Sequence, residues 1–126
     1  MIRRSGEKRV ETRKMFNGEG QAILQHILNG APEMYGKGRV FSHLVLKPGC
    51  EVGWHVHHGD GETYYILRGR GLYNDNGTEV EVGPGDVTFV DDEEGHALRN
   101  VGGRSGGRRA DPVQITAAAG GIPLRK

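Results

Sequence analysis

Residues 53–71, GWHVHHGDGETYYILRGRG, set three histidines within four positions and a lone glutamate, Glu62, five residues after His57. In a pleated strand, residues two apart lie on the same face, so His55 and His57 can point at one object. Imidazole nitrogens and a carboxylate oxygen are the donor set of a borderline divalent transition metal, which makes a metal ion the first candidate for that object. A further ligand and a pocket must come from the rest of the chain.

Working outward from this stretch, the hydrophobic period is two rather than 3.6 and turn residues are frequent. Strands are expected near 21–28, 39–47, 52–57, 62–68, 71–74, 78–82, 86–90 and 95–101. Asp75-Asn76-Gly77 is a strong hairpin signal because Asn and Gly tolerate positive φ, and Gly83-Pro84-Gly85-Asp86 marks another turn. Glycine makes up 22 of 126 residues, roughly 17% against a usual ~7%, with no repeat to absorb it. The pattern predicts an all-β chain, an antiparallel sandwich or small barrel. No segment sustains a helical period, although 29–37 could hold one irregular turn.

The series Gly49, His55, His57, Glu62 and Gly69 resembles the first cupin motif at every fixed position, and Gly85-Asp86 with His96 and Asn100 resembles the second after a short spacer. Two positions depart from it: Asp91 stands where proline is usual and Glu93 where glycine is usual. The likeness covers residues 39–101 firmly and the flanks loosely. It implies a cupin jelly roll, a double-stranded β-helix of two antiparallel sheets, with metal ligands His55, His57, Glu62 and His96. Among single-domain microbial cupins the chain is similar to those called oxalate decarboxylase-like, which implies chemistry on a small organic acid.

The residues lead to the same four without the family. His96, Leu98 and Asn100 share one face of the last expected strand, and a jelly roll can bring that strand beside His55 and His57. Three neutral imidazoles and one carboxylate leave an octahedral divalent ion two open positions, the arrangement of a catalyst. A structural zinc site would be closed and usually thiolate-rich, and the chain has a single cysteine, Cys50. The donor set suits Mn, Fe, Ni or Zn without choosing among them.

Tyr64 and Ile66 share the parity of Glu62 and should line the cavity, where the Tyr64 phenol could bond a metal-bound substrate or simply pack. Asp91–Glu94 reads as a solvated turn, yet it enters the His96 strand at a rim where Glu93 could move a proton. Arg39 and Arg99 are the nearest candidates for a cation that recognises an acid, although Arg99 has the outward parity. His58 has the parity opposite to His57 and should face away. His26 and His43 read as satisfied core or interface histidines, and Cys50 as a small packing residue.

Composition bounds the remaining choices. The length fits one cupin domain over 1–126, with a basic arm at 1–14 and a Gly/Arg-rich segment at 102–126. The formal charge of +1 hides an acidic body: residues 1–14 carry six Lys/Arg against two Asp/Glu and 101–126 five against one, which leaves six against thirteen between them. The ends have no interleaved aromatics or DNA-binding spacing, which favours solvated or folded-back arms over a nucleic-acid partner. One cysteine, no apolar leader and no membrane-length apolar run lead us to expect a soluble cytoplasmic protein. Residues 102–111 are expected to be a mobile loop, with Pro112–Ala117 as a weak strand candidate. Trp54, Val56, Tyr65 and Leu67 should face outward from one sheet as an apolar patch, which predicts a homodimer.

Three functions fit this reading: a metal-dependent enzyme of decarboxylase or oxygenase type acting on a small acid, a metal-assisted sugar isomerase or epimerase, and a non-catalytic binding protein for a small ligand.

Overall fold

The computed structural model of the chain describes residues 1–101 and 111–120. Ten strands pair antiparallel, β1 (Val10–Arg13), β2 (Ala22–Leu28), β3 (Val40–Leu46), β4 (Glu51–Val56), β5 (Gly61–Arg68), β6 (Gly71–Asp75), β7 (Thr78–Val82), β8 (Val87–Val90), β9 (Gly95–Arg99) and β10 (Val113–Gly120). They form a six-stranded sheet in the order β1-β2-β3-β10-β5-β8 and a four-stranded sheet in the order β4-β9-β6-β7. The two pack face to face as the expected jelly roll. Ala31–Met34 supplies the single irregular turn expected in 29–37, as a 3₁₀ turn.

Alternation along the strands divides the lumen into two ends. On β5 the inward residues run Glu62, Tyr64, Ile66, opposite Ala119, Ala117 and Ile115 of β10. On β9 they run His96 and Leu98, with Asn100 buried just past its end. The apolar end is filled by Leu46, Val52, Ile66, Leu98, Val113 and Ile115, each fully buried, and burial of each such side chain contributes about 1.5–3 kcal/mol. Asn100 closes this end by donating from Nδ2 to the carbonyls of Leu46 and Asp111. Polar side chains gather at the other end.

Two strands go beyond the sequence expectation. Residues 10–13 of the basic arm form edge strand β1 against β2, and Arg3 reaches back to Glu33 at 2.8 Å. The weak candidate at 112–117 is β10, a central strand between β3 and β5. Its small residues Ala117, Ala119 and Gly120 carry little strand propensity of their own, and pairing on both sides holds them extended. The mobile loop expected at 102–111 falls almost wholly outside the described residues.

The outward patch requires a correction. Trp54 and Val56 lie on the four-stranded sheet, whereas Tyr65 and Leu67 lie on the six-stranded one, so they face opposite sides of the molecule. Tyr65 and Leu67 instead join Val87 and Phe89 of the neighbouring β8, all exposed.

Candidate metal centre

His55 and His96 are cross-strand partners in the four-stranded sheet, His57 follows the end of β4, and Glu62 enters from β5 of the opposite sheet. Their ligand atoms all lie within 4.8 Å of one another. The Nε2 atoms of His55 and His57 are 3.1 and 3.3 Å from His96 Nε2. Glu62 Oε1 is 3.0 Å from His96 Nε2 and 3.2 Å from His57 Nε2. All four residues named from the sequence therefore meet at one point between the sheets.

The outer nitrogens explain how they are aimed. His55 Nδ1 is 2.8 Å from the carbonyl of Gly53, which can only accept, so this imidazole carries its proton on Nδ1 and presents the Nε2 lone pair inward. Asp60 Oδ1 accepts from His57 Nδ1 at 2.8 Å. Tyr73 Oη sits 2.8 Å from His96 Nδ1, completing the pattern by which metal-binding imidazoles are oriented through their second nitrogen. Convergent imidazole lone pairs and a carboxylate are a cation's environment, and the cluster is able to bind a divalent metal ion.

The local electrostatics fit that role. Burial pushes the Glu62 carboxyl up, but hydrogen bonds to His55 and His96 and the nearby imidazoles outweigh it and hold it at about 2. Burial also lowers His96, favouring the neutral imidazole that a metal requires. Asp60 is opposed by burial yet ends below the usual carboxylate range, because it bonds both His57 and Arg39. Tyr73 is pushed up to about 12, mainly by burial.

Backbone geometry places the two β4 histidines. Val52 pairs with Leu98 and His55 with His96, so two residues of β4 stand against one of β9. This bulge at Gly53-Trp54 lets Val52 and His55 both face inward, which an uninterrupted pleat forbids. A Cβ on Gly53 would strike the backbone of Phe16 and Gly18. Downstream, the Glu93 amide donates to the His57 carbonyl at 2.7 Å and the His57 amide to the Glu94 carbonyl at 2.9 Å. Glu93 adopts φ 70°, the left-handed region, in the position where the motif expects glycine.

A cavity of about 60 Å³ opens onto the cluster, and its wall includes Arg13, Phe16, Arg39, Ser42, Tyr64 and Ala117 along with His55 and Glu62. Tyr64 is buried as expected and stacks on His96 with centroids 4.8 Å apart. Burial, followed by the adjacent Glu62 charge, raises its phenol well above the ordinary value. Arg39 reaches the cavity and pairs with Asp60 at 2.9 Å, while Arg99 is exposed on β9. The structure does not bring the Glu93 side chain to the cluster: it is 72% exposed beside an equally exposed His58. His26 is a satisfied core histidine between Ser42 and Glu11, and His43 bonds Gln114.

Several contributors were not named from the sequence. Asp60 lay within the quoted stretch, and a carboxylate three residues from a ligand imidazole was a usable signal. Arg13 and Phe16 offered none, because they come from the N-terminal segment. Phe16 nevertheless stacks on His55 with centroids 3.9 Å apart, and Met15 bridges to Val52.

Residues 42–105 match the model of the cupin domain. The chain belongs to the cupin family. It is 41% identical over 103 residues to a Thermotoga maritima oxalate-binding protein, spanning 81% of this cupin and 84% of that relative. Its fold superposes on a crystal structure from Thermotoga maritima described as a predicted oxalate decarboxylase, with TM-score 0.85, 34% identity and coverage of 97% and 100% of the two chains. A putative sugar phosphate isomerase from Acidithiobacillus ferrooxidans shares the cupin fold at TM-score 0.75 and 16% identity, over 96% of this chain and 75% of that one.

Proposed function

We propose that this cupin holds one divalent transition metal ion (Mn, Fe, Ni or Zn) on His55, His57, Glu62 and His96, and binds a small organic acid of the oxalate type there. The observation that carries this reading is the convergence of three Nε2 atoms and one carboxylate at the wall of a small cavity that also carries two guanidiniums. The oxalate-binding relative supports the same ligand class. A bound ion would supply Lewis acidity and a template for carboxylate oxygens. The protein's own groups do the rest: Phe16 shields one face of His55, and Tyr64, kept protonated, donates a hydrogen bond toward a ligand oxygen.

Turnover of decarboxylase or oxygenase type is the second reading. Its support is the Tyr64 phenol, which lines the cavity beside Glu62 and stays protonated, so that it could hydrogen-bond a reacting oxygen there. Glu93 is supported less, its carboxylate being 72% exposed beside His58. The test is elemental analysis of purified protein, then calorimetric titration with oxalate and assay for formate with and without oxygen. About one ion per chain and a saturable oxalate heat are expected. Metal-free protein that cannot be loaded overturns the reading, and formate release selects the enzyme over the binding protein.

Two further elements belong to the proposal. A homodimer is supported by the exposed apolar face of β5 and β8. A cytoplasmic location is supported by the single cysteine, and among the described residues no helix is long and apolar enough to cross a membrane.

A further inference from the structure

A buried polar chain that the metal cluster does not use runs along the inner face of the six-stranded sheet. His26 of β2 is 93% buried. Its Nδ1 lies 2.8 Å from Ser42 Oγ on β3, and its Nε2 lies 3.0 Å from Glu11 Oε1 on β1. The same Glu11 oxygen is 3.7 Å from Arg13 Nε, and Arg13 lines the cavity that holds His55 and Glu62.

The combination is a serine, a histidine and a carboxylate, but it is not a nucleophilic site: Ser42 borders the cavity yet has no exposed surface. A buried imidazole costs more to desolvate than an aliphatic residue would, and with both nitrogens satisfied it rigidifies the packing around it. It also fixes the Glu11 carboxylate on a short edge strand. Glu11 accepts from His26, which holds its carboxyl below the usual range; the same Oε1 is 3.7 Å from Arg13 Nε, while Oε2 lies 3.6 Å from Arg9 Nη1.

The two cavity arginines differ in commitment. Arg39 is in a close pair with Asp60 at 2.9 Å, and Asp60 also bonds His57, so Arg39 is tied to the cluster itself. Among the described residues Arg13 has only the longer contact of its Nε to Glu11, and its side chain is as exposed as that of Arg39, which leaves guanidinium donors for a ligand. Phe16, three residues on, stacks on His55, so the segment that carries Arg13 borders the cluster directly.

We infer that Arg13 is the residue that recognises the outward carboxylate oxygens of a metal-held dianion, and that Glu11, His26 and Ser42 position it. This rests on the proposed binding of a small acid at the cluster, and it narrows the ligand to small dicarboxylates. A monocarboxylate that chelates equally well lacks the second charged end and gains nothing from Arg13.

The test compares oxalate with glycolate, which keeps a two-oxygen chelate but has one carboxylate only. Both are titrated calorimetrically into full-length protein loaded with manganese(II), in wild type, Arg13→Gln, Arg13→Lys, Glu11→Gln and Ser42→Ala forms. Arg13→Gln is expected to weaken oxalate at least tenfold and glycolate less than twofold, with partial recovery in Arg13→Lys. Glu11→Gln and Ser42→Ala are expected to weaken oxalate threefold or more, with manganese content and glycolate affinity unchanged in Glu11→Gln, whose site lies outside the cavity wall. Equal losses for the two probes, or none for oxalate in Arg13→Gln, overturn the assignment of Arg13. Unchanged oxalate affinity in Glu11→Gln and Ser42→Ala overturns the positioning chain. A wild type that holds manganese and binds neither probe overturns the parent reading and this inference together.

Discussion

His55 and His96 face each other across β4 and β9 with their Nε2 atoms 3.1 Å apart, and the bulge at Gly53-Trp54 is what turns His55 inward. The bulge exists because Gly53 has no side chain where the backbone of Phe16 and Gly18 presses on it. Gly53→Ala is therefore expected to push the 15–18 segment away and to rotate His55, at a cost of about 1–3 kcal/mol typical of overpacking. Thermal unfolding together with metal content checks this: a variant as stable and as metal-rich as wild type would show that the bulge survives an added Cβ.

His57→Ala removes one of the four converging donors, whereas His58, one residue on, is exposed. The first change should weaken metal binding well beyond the ~10–100-fold typical of residues that only support a ligand, and the second should leave it unchanged. Competition with a fluorescent chelator separates the two. Equal affinities would remove His57 from the ligand set.

Metal removal should also appear in stability, since an ion that binds only the folded chain stabilises it by about 2.7 kcal/mol at a hundred times Kd. For a domain of this size that corresponds to roughly 10 °C or more. Scanning calorimetry with and without chelator is the measurement, and coincident transitions would argue against a cluster that holds an ion at all.

Much of this centre was legible because metal ligation ties chemistry to spacing: His55, His57, Glu62 and His96 were readable as donors before their positions were known. Parity arguments failed where the pleat is interrupted. An uninterrupted β4 with His55 inward would turn Val52 outward, yet Val52 is core, and only the bulge reconciles the two. β10 was nearly invisible because alanines carry little strand signal, although Ala117 and Ala119 are the small residues that face Tyr64 and Glu62 and leave room for the cavity. Arg13 and Phe16 reach the site through long-range pairing of β1 with β2, which no local pattern encodes.

Glu33 gives a pH prediction. The Arg3 guanidinium and the Asn29 amide bond its carboxylate and lower it from near 4.5 to about 2. A carboxyl depressed in the folded state adds stability above its unfolded value, and that contribution disappears as pH falls through the folded value. The gap in melting temperature between wild type and Glu33→Gln should therefore be constant above pH 5 and shrink between about pH 4.5 and 2. A gap that does not change over that window would mean the pair does not form in solution. The pair lies at the surface, with side chains 18% and 30% exposed, so high salt should also narrow the gap.

The dimer prediction follows from the outer face of the six-stranded sheet. Tyr65 and Val87 are cross-strand partners on β5 and β8, and with Leu67 and Phe89 they are 37–63% exposed. β8 is the edge of its sheet, so strand and side chains alike are available to a partner. Beyond β10, whose outward residues are Gln114, Thr116 and Ala118, Phe41, Val45, Ile23 and Ile27 of β3 and β2 add half-buried apolar side chains to the same face. A monomer rarely shows water four large apolar side chains on adjacent strands, and a twofold arrangement of two such faces covers both at once. Trp54 is a poorer anchor, because its ring lies against Gly95 of the neighbouring β9 in the four-stranded sheet. Sedimentation equilibrium should show a dimer at tens of micromolar that Tyr65→Lys with Phe89→Asp converts to monomer, while Trp54→Asp leaves it intact. A monomeric wild type defeats the prediction, and a dimer lost only in Trp54→Asp moves the interface to the four-stranded sheet.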